Sequence, residues 1–409
     1  MTNGANILHD SGLPVAFAID EAGGQLLPLP RGPLSQSVRV WARSLSVMQK
    51  EAIVASALTG KAWRLASDEG PYLDGFDAAP CPLAFFGTGM VSSFMNEILA
   101  AARERGIAVH DLALVQDNRY TMEGSAVRRT MIGGALPVEL EVRIAADAAD
   151  AALAQLVADA VHASPLNGLL RGVHASLFST RLNGELLSIP DVGALAALAE
   201  PDPGATLSAI VTRAPRPERP LIERMATVTA VEGVPGGAHT SLSETQSRTL
   251  HLRALCTLRP DGVKEIVQQL FSPRGSTFRF LSDEAEELGG RGAAPDAASY
   301  AATGIAFCFM TQLGRYASIV KRALPAYNII EDVHFSLGGA SGRTGEPGRA
   351  APVETHAYLT STEGEAFARD AMVMGEQTCF LHALCRTDLK TKIRVTRTAA
   401  PAAARRGLS

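Results

Sequence analysis

The sequence predicts an α+β protein built from two copies of one unit. Matching stretches recur along the chain, and each matching pair is separated by the same number of residues as Lys61 and Ser276. Several matches in a single register indicate a duplication, which we place at residues 1–182 and 226–397 and call repeat one and repeat two. The clearest matches are KAWRLASDE (61–69) with STFRFLSDE (276–284), and SPLNGLLR (164–171) with CFLHALCR (379–386).

Strand patterns come first in each repeat. Alternation of apolar and polar residues is typical of a strand with one buried face, and ELEVRIAA at 139–146 shows it most clearly. The other predicted strands are VRVWARSL (38–45), KAWRLA (61–66) and DLALVQ (111–116) in repeat one, and LHLRALCTL (250–258), STFRFL (276–281), DVHFSL (332–337) and LKTKIRVT (389–396) in repeat two.

Two helices are predicted in each repeat between these strands. The first has apolar residues at helical spacing, namely Leu83, Phe86, Met90 and Phe94 in repeat one and Ile305, Phe309, Tyr316 and Val320 in repeat two. The second ends just before Ser164 in repeat one and Cys379 in repeat two. Strand pairs separated by long helices favour helices packed on one face of a curved sheet.

The segment between the repeats is predicted to be a linker at 183–225. Its EPDPGA and APRPERP stretches are proline-rich, as linkers often are. Within it, DVGALAALA at 191–199 predicts one short helix. The low-complexity tail at 398–409 is predicted to be disordered.

Composition narrows the class of protein. Of 409 residues 46% are hydrophobic and 20% charged, with a net charge of −4, which is typical of a globular chain. The chain has no basic, aromatic-rich stripe for nucleic acid, no apolar run close to a membrane span, and no secretory signal at its start. Its five irregularly spaced cysteines predict free thiols in a reducing cytoplasm rather than a disulfide framework.

One pair of cysteines stands out in the repeat. Cys308 and Cys379 correspond to Ser93 and Ser164 of repeat one, and the spacing within each pair is the same. A joint exchange of both residues indicates that the two positions work together. The alternative remains open at this point, since a single buried cysteine is commonly inert core packing.

The segments around these cysteines resemble the OsmC/Ohr family of proteins that reduce organic hydroperoxides. ELGGRGAAPDAASYAATGIAFCF (287–309) is similar to the glycine-rich turn and first cysteine helix of that family, and TCFLHAL (378–384) to its second-cysteine motif. Phe380 replaces the proline that usually follows the second cysteine, whereas repeat one keeps a proline as Pro165.

The resemblance implies both a fold and an activity. It implies two tandem OsmC-like domains, each a curved antiparallel sheet with two long helices, that form a pseudo-dimer within one chain. Whether two chains pair further into a homodimer is left undecided by the resemblance. It implies a thiol peroxidase without cofactor or metal, in which a hydroperoxide oxidises Cys308 to a sulfenic acid. Cys379 then forms a disulfide with Cys308, and an external thiol reduces it.

An activating arginine is part of the same expectation. We predict Arg253 or Arg259 in this role, because in the family the arginine comes from an early strand or loop. The family's supporting glutamate, about ten residues before the first cysteine, is replaced by Ala298. This departure keeps open an alternative, a non-enzymatic OsmC-like protein that binds a small apolar ligand in a pocket between the domains.

Other polar residues are given structural roles. Cys81, Cys256 and Cys385 do not belong to a repeated pair of positions such as Cys308 and Cys379. They are predicted to lie in the core or at the surface. His334 and His356 are predicted to be polar strand residues rather than metal ligands. The recurring Asp-Glu pairs, at 68–69 and 283–284, are predicted to be exposed at strand-end turns. The glycine-rich segment 338–348 is predicted to be a hairpin loop.

Overall fold

A computed structural model of the chain describes residues 4–20, 27–28, 32–197, 200–211, 220–227 and 246–399. Its elements up to residue 226 are α1 Ile7–Asp10, β1 Ala16–Ala18, β2 Gln36–Ser44, β3 Lys50–Ser56, β4 Ala62–Ser67, α2 Pro82–Glu104, β5 Val109–Gly124, β6 Ile132–Ala135, β7 Glu139–Ala146, α3 Asp150–Ala163, α4 Asn167–Arg171, β8 Ser176–Leu182, β9 Glu185–Leu187, β10 Gly193–Ala194, α5 Gly204–Val211 and β11 Ile222–Ala226.

The second part of the chain repeats the same order of elements. It contains β12 Gln246–Leu258, β13 Lys264–Ser272, β14 Thr277–Ser282, α6 Ala297–Ile319, β15 Ala326–Ser336, β16 Arg349–Ala350, β17 Val353–Thr360, α7 Gly364–Thr378, α8 Phe380–Cys385 and β18 Lys392–Arg397. Helices α2 and α6 begin and end at equivalent positions of the two repeats. The same order of elements therefore occurs twice along the chain, and the α+β class is confirmed.

The strands form two sheets that exchange segments between the repeats. One sheet has the order β1-β4-β3-β2-β15-β17-β8-β10, and the other has the order β11-β14-β13-β12-β5-β7-β18. In the first sheet β1 to β4 and β8 come from repeat one, and β15 and β17 of repeat two lie between β2 and β8. In the second sheet β12 to β14 and β18 come from repeat two, and β5 and β7 of repeat one lie between β12 and β18. The edge strands β10 and β11 come from the segment between the repeats. Neither repeat therefore completes a sheet alone.

The sheets are mixed, and the expectation of purely antiparallel sheets was wrong. Strand β8 pairs with β17 in parallel, and β18 pairs with β7 in parallel. Parallel neighbours require a long crossover connection rather than a hairpin. Here two helices precede each of these strands, as in β7-α3-α4-β8, and they carry the chain across to the other sheet.

Several strands, among them β3 and β13, and the segment between the repeats differ from the prediction. Strands β3 and β13 were missed because β3 is buried on both faces and β13 buries Lys264 and Gln268 alongside its apolar residues. The described part of 191–199 contains strand β10 rather than the predicted helix. A side chain at Gly193 would lie 2.5 Å from the carbonyl oxygen of Ser176 on β8. The nearby helix is α5 instead, and residues 400–409 of the tail lie outside the described residues.

The core consists of two long helices between the two sheets. Helix α2 packs on β12, β13 and β5, and α6 packs on β2, β3 and β15 of the other sheet. The two helices contact each other at glycines, whose lack of a side chain allows the backbones to approach closely. An added Cβ at Gly89 would lie 2.4 Å from the oxygen of Ala297, and one at Gly304 would lie 2.6 Å from the nitrogen of Phe86.

Helix α2 has the length and apolarity of a membrane span, although the sequence reading found no such run. Its burial identifies it as a core helix, since 83% of the apolar window lies inside the protein. Most of its residues are buried because the helix contacts both a sheet and another helix.

We predict that Gly89→Ala lowers the free energy of unfolding by about 1–3 kcal/mol, because the new methyl group overpacks a backbone contact. Gly87→Ala in the same helix is the control. Its Cβ would meet only the end of the Gln268 side chain, at 3.0 Å, and alanine favours helix by about 1 kcal/mol over glycine. Chemical denaturation measures both variants, and equal stabilities would contradict the close helix crossing.

Candidate functional site

The structure brings Cys308 and Cys379 together. Cys308 lies in the middle of α6, and Cys379 caps the N-terminus of α8, where its Sγ accepts the His382 amide at 3.5 Å. Burial, with a hydrogen bond to the Cys308 side chain as the next cause, raises the pKa of Cys379 well above its ordinary value. Both are free thiols, and Cys308 is only 2% exposed.

The equivalent serines of repeat one meet in the same way. Ser93 Oγ lies 2.7 Å from Ser164 Oγ, and Ser164 Oγ accepts the amide of Asn167 at 3.3 Å. This amide lies three residues after Ser164, as His382 lies three residues after Cys379. The contact between the two positions is therefore a property of the repeated unit, and only repeat two places thiols there.

A small cavity of about 30 Å³ adjoins Cys308 and is shared by the two repeats. It has room for about one water molecule. Its polar lining consists of Glu69, Tyr72 and Cys81 from repeat one and Arg248, Cys308, Thr311 and Gln312 from repeat two, and its apolar lining consists of Leu73, Pro82, Leu83, Leu250, Leu270, Pro273 and Phe380.

Glu69 is the carboxylate that lines this cavity. The prediction that it is exposed at a strand-end turn was wrong. Thr311 Oγ1, one turn after Cys308, donates to Glu69 Oε1 at 3.1 Å, and Tyr72 donates to Oε2 at 2.7 Å. Burial raises the pKa of Glu69, and the charge of Lys50 opposes this shift. Glu69 thus reaches across from repeat one to the helix that carries Cys308.

The Asp-Glu pairs at 68–69 and 283–284 are buried rather than exposed. The reason is that each aspartate binds the backbone of the loop that follows its strand. The Asp68 carboxylate accepts the amides of Phe76 at 3.2 Å and Ala78 at 3.0 Å, and the Asp283 carboxylate accepts those of Arg291 at 3.1 Å and Ala293 at 2.9 Å. Loop amides replace the water that these carboxylates would otherwise require.

Two arginines of repeat two, Arg248 and Arg315, lie on the Cys308 side of the molecule. Arg248 lines the cavity, and Arg315 lies two turns after Cys308 on α6, where it is buried and donates to Gln312 Oε1 at 3.5 Å. Burial lowers the pKa of both groups, and the charge of Arg248 lowers that of Arg315 further while Glu69 opposes it. A guanidinium remains cationic at neutral pH, so this side of the site is positive.

Arg253 and Arg259, the predicted activating residues, lie away from the cavity. Arg253 is 45% exposed by side chain and binds Asp117 on β5 with distances of 2.9 and 2.8 Å, while Arg259 pairs with Asp261 in the turn after β12. The error follows from strand alternation. Leu250 and Leu252 face the core, Arg253 faces outward, and Arg248 shares the inward positions.

The repeat also explains the role of Arg253. Arg253 lies opposite Asp117 in the sheet, as Arg39 lies opposite Asp332 in the other sheet. Arg39 Nε donates to Asp332 Oδ1 at 2.7 Å. The same cross-strand ion pair therefore occurs in both sheets, and it belongs to the fold.

The remaining cysteines differ in their surroundings. Cys256 packs in the core with its Sγ 3.6 Å from the sulfur of Met95, and Cys385 is buried. Cys81 was assigned to the core or surface, but it caps α2 and lines the Cys308 cavity. Burial raises the pKa of the Cys81 thiol to about 12. Ala298, where the family has a glutamate, is buried on α6 beside the serine pair's cavity.

The histidines and other potential ligands form no metal centre in the described part of the chain. His334 Nδ1 lies 2.9 Å from Ser37 Oγ on the neighbouring strand. Among the residues that the structure describes, no group of three or more His, Cys, Asp or Glu side chains is arranged to hold a metal ion.

The serine side of the molecule carries a different carboxylate. Glu97 follows Ser93 by one helical turn, is buried, and accepts hydrogen bonds from the Ser341 hydroxyl and, at 3.4 Å, from the Ser341 amide. Burial raises the pKa of Glu97 from its ordinary value of 4.5 to about 7, against the effect of Ser341. Asn96 donates to Glu284 at 2.6 Å, as Thr311 donates to Glu69.

Comparison with protein-family models, with curated proteins and with solved structures found no match for this chain.

We predict that Ser93→Cys combined with Ser164→Cys creates a disulfide under mild oxidation, because the two Oγ atoms already lie 2.7 Å apart. Peptide mapping by mass spectrometry identifies the bond. Ser92→Cys with Ser164→Cys is the matched control, since one residue turns a helix by about 100°. Equal disulfide yields in the two double variants would contradict the contact.

We predict that Glu97→Gln makes stability less dependent on pH. A carboxyl whose pKa is raised in the folded state contributes stability to the fold. This contribution is fully present below pH 4.5, the pKa in the unfolded chain, and it is lost as pH rises through 7, the pKa in the folded chain. The loss amounts to at most about 3 kcal/mol at 1.4 kcal/mol per pH unit. Urea denaturation at pH 4.5 and 8 should show a larger decrease for the wild type than for the variant, and parallel decreases would refute this.

Proposed function

We propose that the protein is a thiol-dependent peroxidase of the OsmC/Ohr type that reduces organic hydroperoxides. In this proposal, two OsmC-like units fused in one chain form an intramolecular pseudo-dimer with one redox site. The observation that carries it is the contact of Cys308 with Cys379 next to the guanidinium of Arg248. Free thiols in this position fit the reducing cytoplasm that the sequence predicts.

The chemistry proceeds in three balanced steps. The Cys308 thiolate attacks the O–O bond of the hydroperoxide, forms a sulfenic acid and releases an alkoxide that takes up a proton to become an alcohol. The Cys379 thiol then condenses with the sulfenic acid, forms the Cys308–Cys379 disulfide and releases water. An external dithiol reduces this disulfide by thiol–disulfide exchange and is itself oxidised.

The surrounding groups fit these roles. Arg248, which lines the cavity, stabilises the developing alkoxide through its positive charge. The raised pKa of Cys379 keeps this thiol protonated, which suits a resolving thiol that does not compete for the peroxide. Because Cys308 is 2% exposed, entry of a hydroperoxide requires movement of the cavity wall, to which Tyr72 and Leu73 belong.

An alternative function is binding of a small apolar ligand without redox chemistry. The apolar wall of the same cavity, including Leu83, Leu250 and Phe380, favours this reading. The volume of about 30 Å³ is too small for an organic ligand unless the wall opens. Under this alternative, Cys308 and Cys379 would not form a disulfide when a hydroperoxide is added.

We predict that the wild type consumes cumene hydroperoxide with a dithiol as reductant and forms the Cys308–Cys379 disulfide. Cys308→Ser should abolish consumption, and Cys379→Ser should accumulate a sulfenic acid that dimedone traps at Cys308. Arg248→Gln should slow single-turnover oxidation by about tenfold or more, because the cation that stabilises the developing alkoxide is lost.

The controls are Arg253→Gln and Cys256→Ser, which should keep wild-type rates because Arg253 faces outward on β12 and Cys256 packs against Met95 of repeat one. Stopped-flow oxidation and mass spectrometry measure these outcomes. No consumption of hydroperoxide by the wild type, with Cys308 and Cys379 still free, would refute the peroxidase and leave the ligand-binding alternative.

A further inference from the structure

A second, larger cavity lies at the serine pair. It measures about 690 Å³ and opens to solvent, and its lining includes Ser93 and Asn96 of repeat one with Glu284 and Leu288 of repeat two. It is the repeat counterpart of the Cys308 cavity, because Ser93 corresponds to Cys308 and Glu284 corresponds to Glu69. The two cavities thus occupy equivalent positions in one fold, yet they differ in size by more than tenfold.

Smaller side chains account for the larger size. Three lining residues of the serine cavity are Ala100, Pro165 and Ala298. Their counterparts in the other repeat are, in the same order, Arg315, Phe380 and Leu83. Each exchange removes several heavy atoms from the cavity wall. The serine cavity therefore has the volume of a small-molecule site.

The two cavities differ in charge. The Cys308 cavity has one carboxylate, Glu69, and one guanidinium, Arg248, and its Gln312 lies one turn after Cys308. At the serine site Ala100 replaces Arg315, and Glu97 replaces Gln312. Five carboxylates and two guanidiniums line the serine cavity, namely Glu97, Glu104, Glu284, Glu286, Glu287, Arg103 and Arg343. The balance is acidic, and Glu97 lies in the buried part.

A buried amide in the wall also points to a ligand. Gln36 lines the cavity, is 3% exposed, and its Oε1 has no hydrogen-bond partner among the described residues. It lies on the inward positions of β2 with Val38 and Val40. Its counterpart by sheet register is Leu250, since Gln36 pairs with Phe335 as Leu250 pairs with Tyr120. A polar group buried without a partner is costly unless something in the cavity binds it.

We propose that the serine cavity binds a small organic cation, an ammonium or guanidinium group on a short polar body. The cation would pair with Glu97 at the inner end, and a donor of the ligand would bind the Gln36 amide oxygen. Carboxylates at the mouth, including Glu104 and Glu287, would attract the ligand. This site is independent of the thiol chemistry, since it uses none of the cysteines.

The probes are agmatine and putrescine, and succinate is the anionic control, all titrated into the full chain by calorimetry. We expect agmatine or putrescine to bind and succinate not to bind. Glu97→Gln should weaken the binding by about tenfold or more, as expected for loss of one partner of a buried charge pair. Gln36→Leu, which introduces the residue of the cysteine site, should weaken it as well.

Ala100→Arg provides a second test, because it introduces the residue of the cysteine site and fills the cavity with a positive charge. It should abolish binding. Glu365→Gln on α7 removes an exposed carboxylate away from the cavity and should leave the affinity unchanged, and thermal unfolding confirms that each variant is folded. The proposal is overturned if neither cation binds with a dissociation constant of about 10 mM or below. It is also overturned if the Glu97→Gln variant binds the cations as tightly as the wild type does.

Discussion

The close crossing of α2 and α6 is the constraint on which the rest of the structure depends. Gly89 and Gly304 let the two backbones approach without side chains between them. Each helix also packs on one sheet, so the crossing fixes the distance between the sheets. It also places the residue one turn after Cys308, Thr311, within hydrogen-bond reach of Glu69 from the other repeat. A looser crossing would separate the two halves of both sites.

Fusion of two copies in one chain allows the two sites to differ. In a symmetric homodimer a substitution appears at both equivalent sites, because both subunits have one sequence. Here Ser93 and Cys308 occupy equivalent positions with different chemistry, and Ala100 and Arg315 do the same. One site is small, with two thiols and nearby cations, and the other is large and acidic. The duplicated chain thus keeps one architecture and carries two chemically distinct cavities.

The sequence predicted those features that depend on spacing along the chain. A constant offset identified the repeat, helical spacing identified α2 and α6, and the joint exchange at Ser93 and Ser164 marked the cysteine positions. Features that depend on pairing between distant segments were missed. Glu69 contacts the helix of Cys308 only because strands exchange between the repeats. The separation of the two residues along the sequence therefore does not indicate the contact. Arg248 could have been found, since it continues the inward alternation of Leu250 and Leu252.

The internal repeat separates what the fold needs from what one site adds. Buried charges are costly, and apolar residues often stabilise a core better. Yet both sheets bury a lysine and a glutamate in the same register, Lys50 with Glu69 and Lys264 with Glu284. Since these pairs persist at the serine site, where no thiol is present, they belong to the architecture. Arg248 and Arg315 have no arginine counterparts in repeat one, so they are not required by the architecture that the two repeats share.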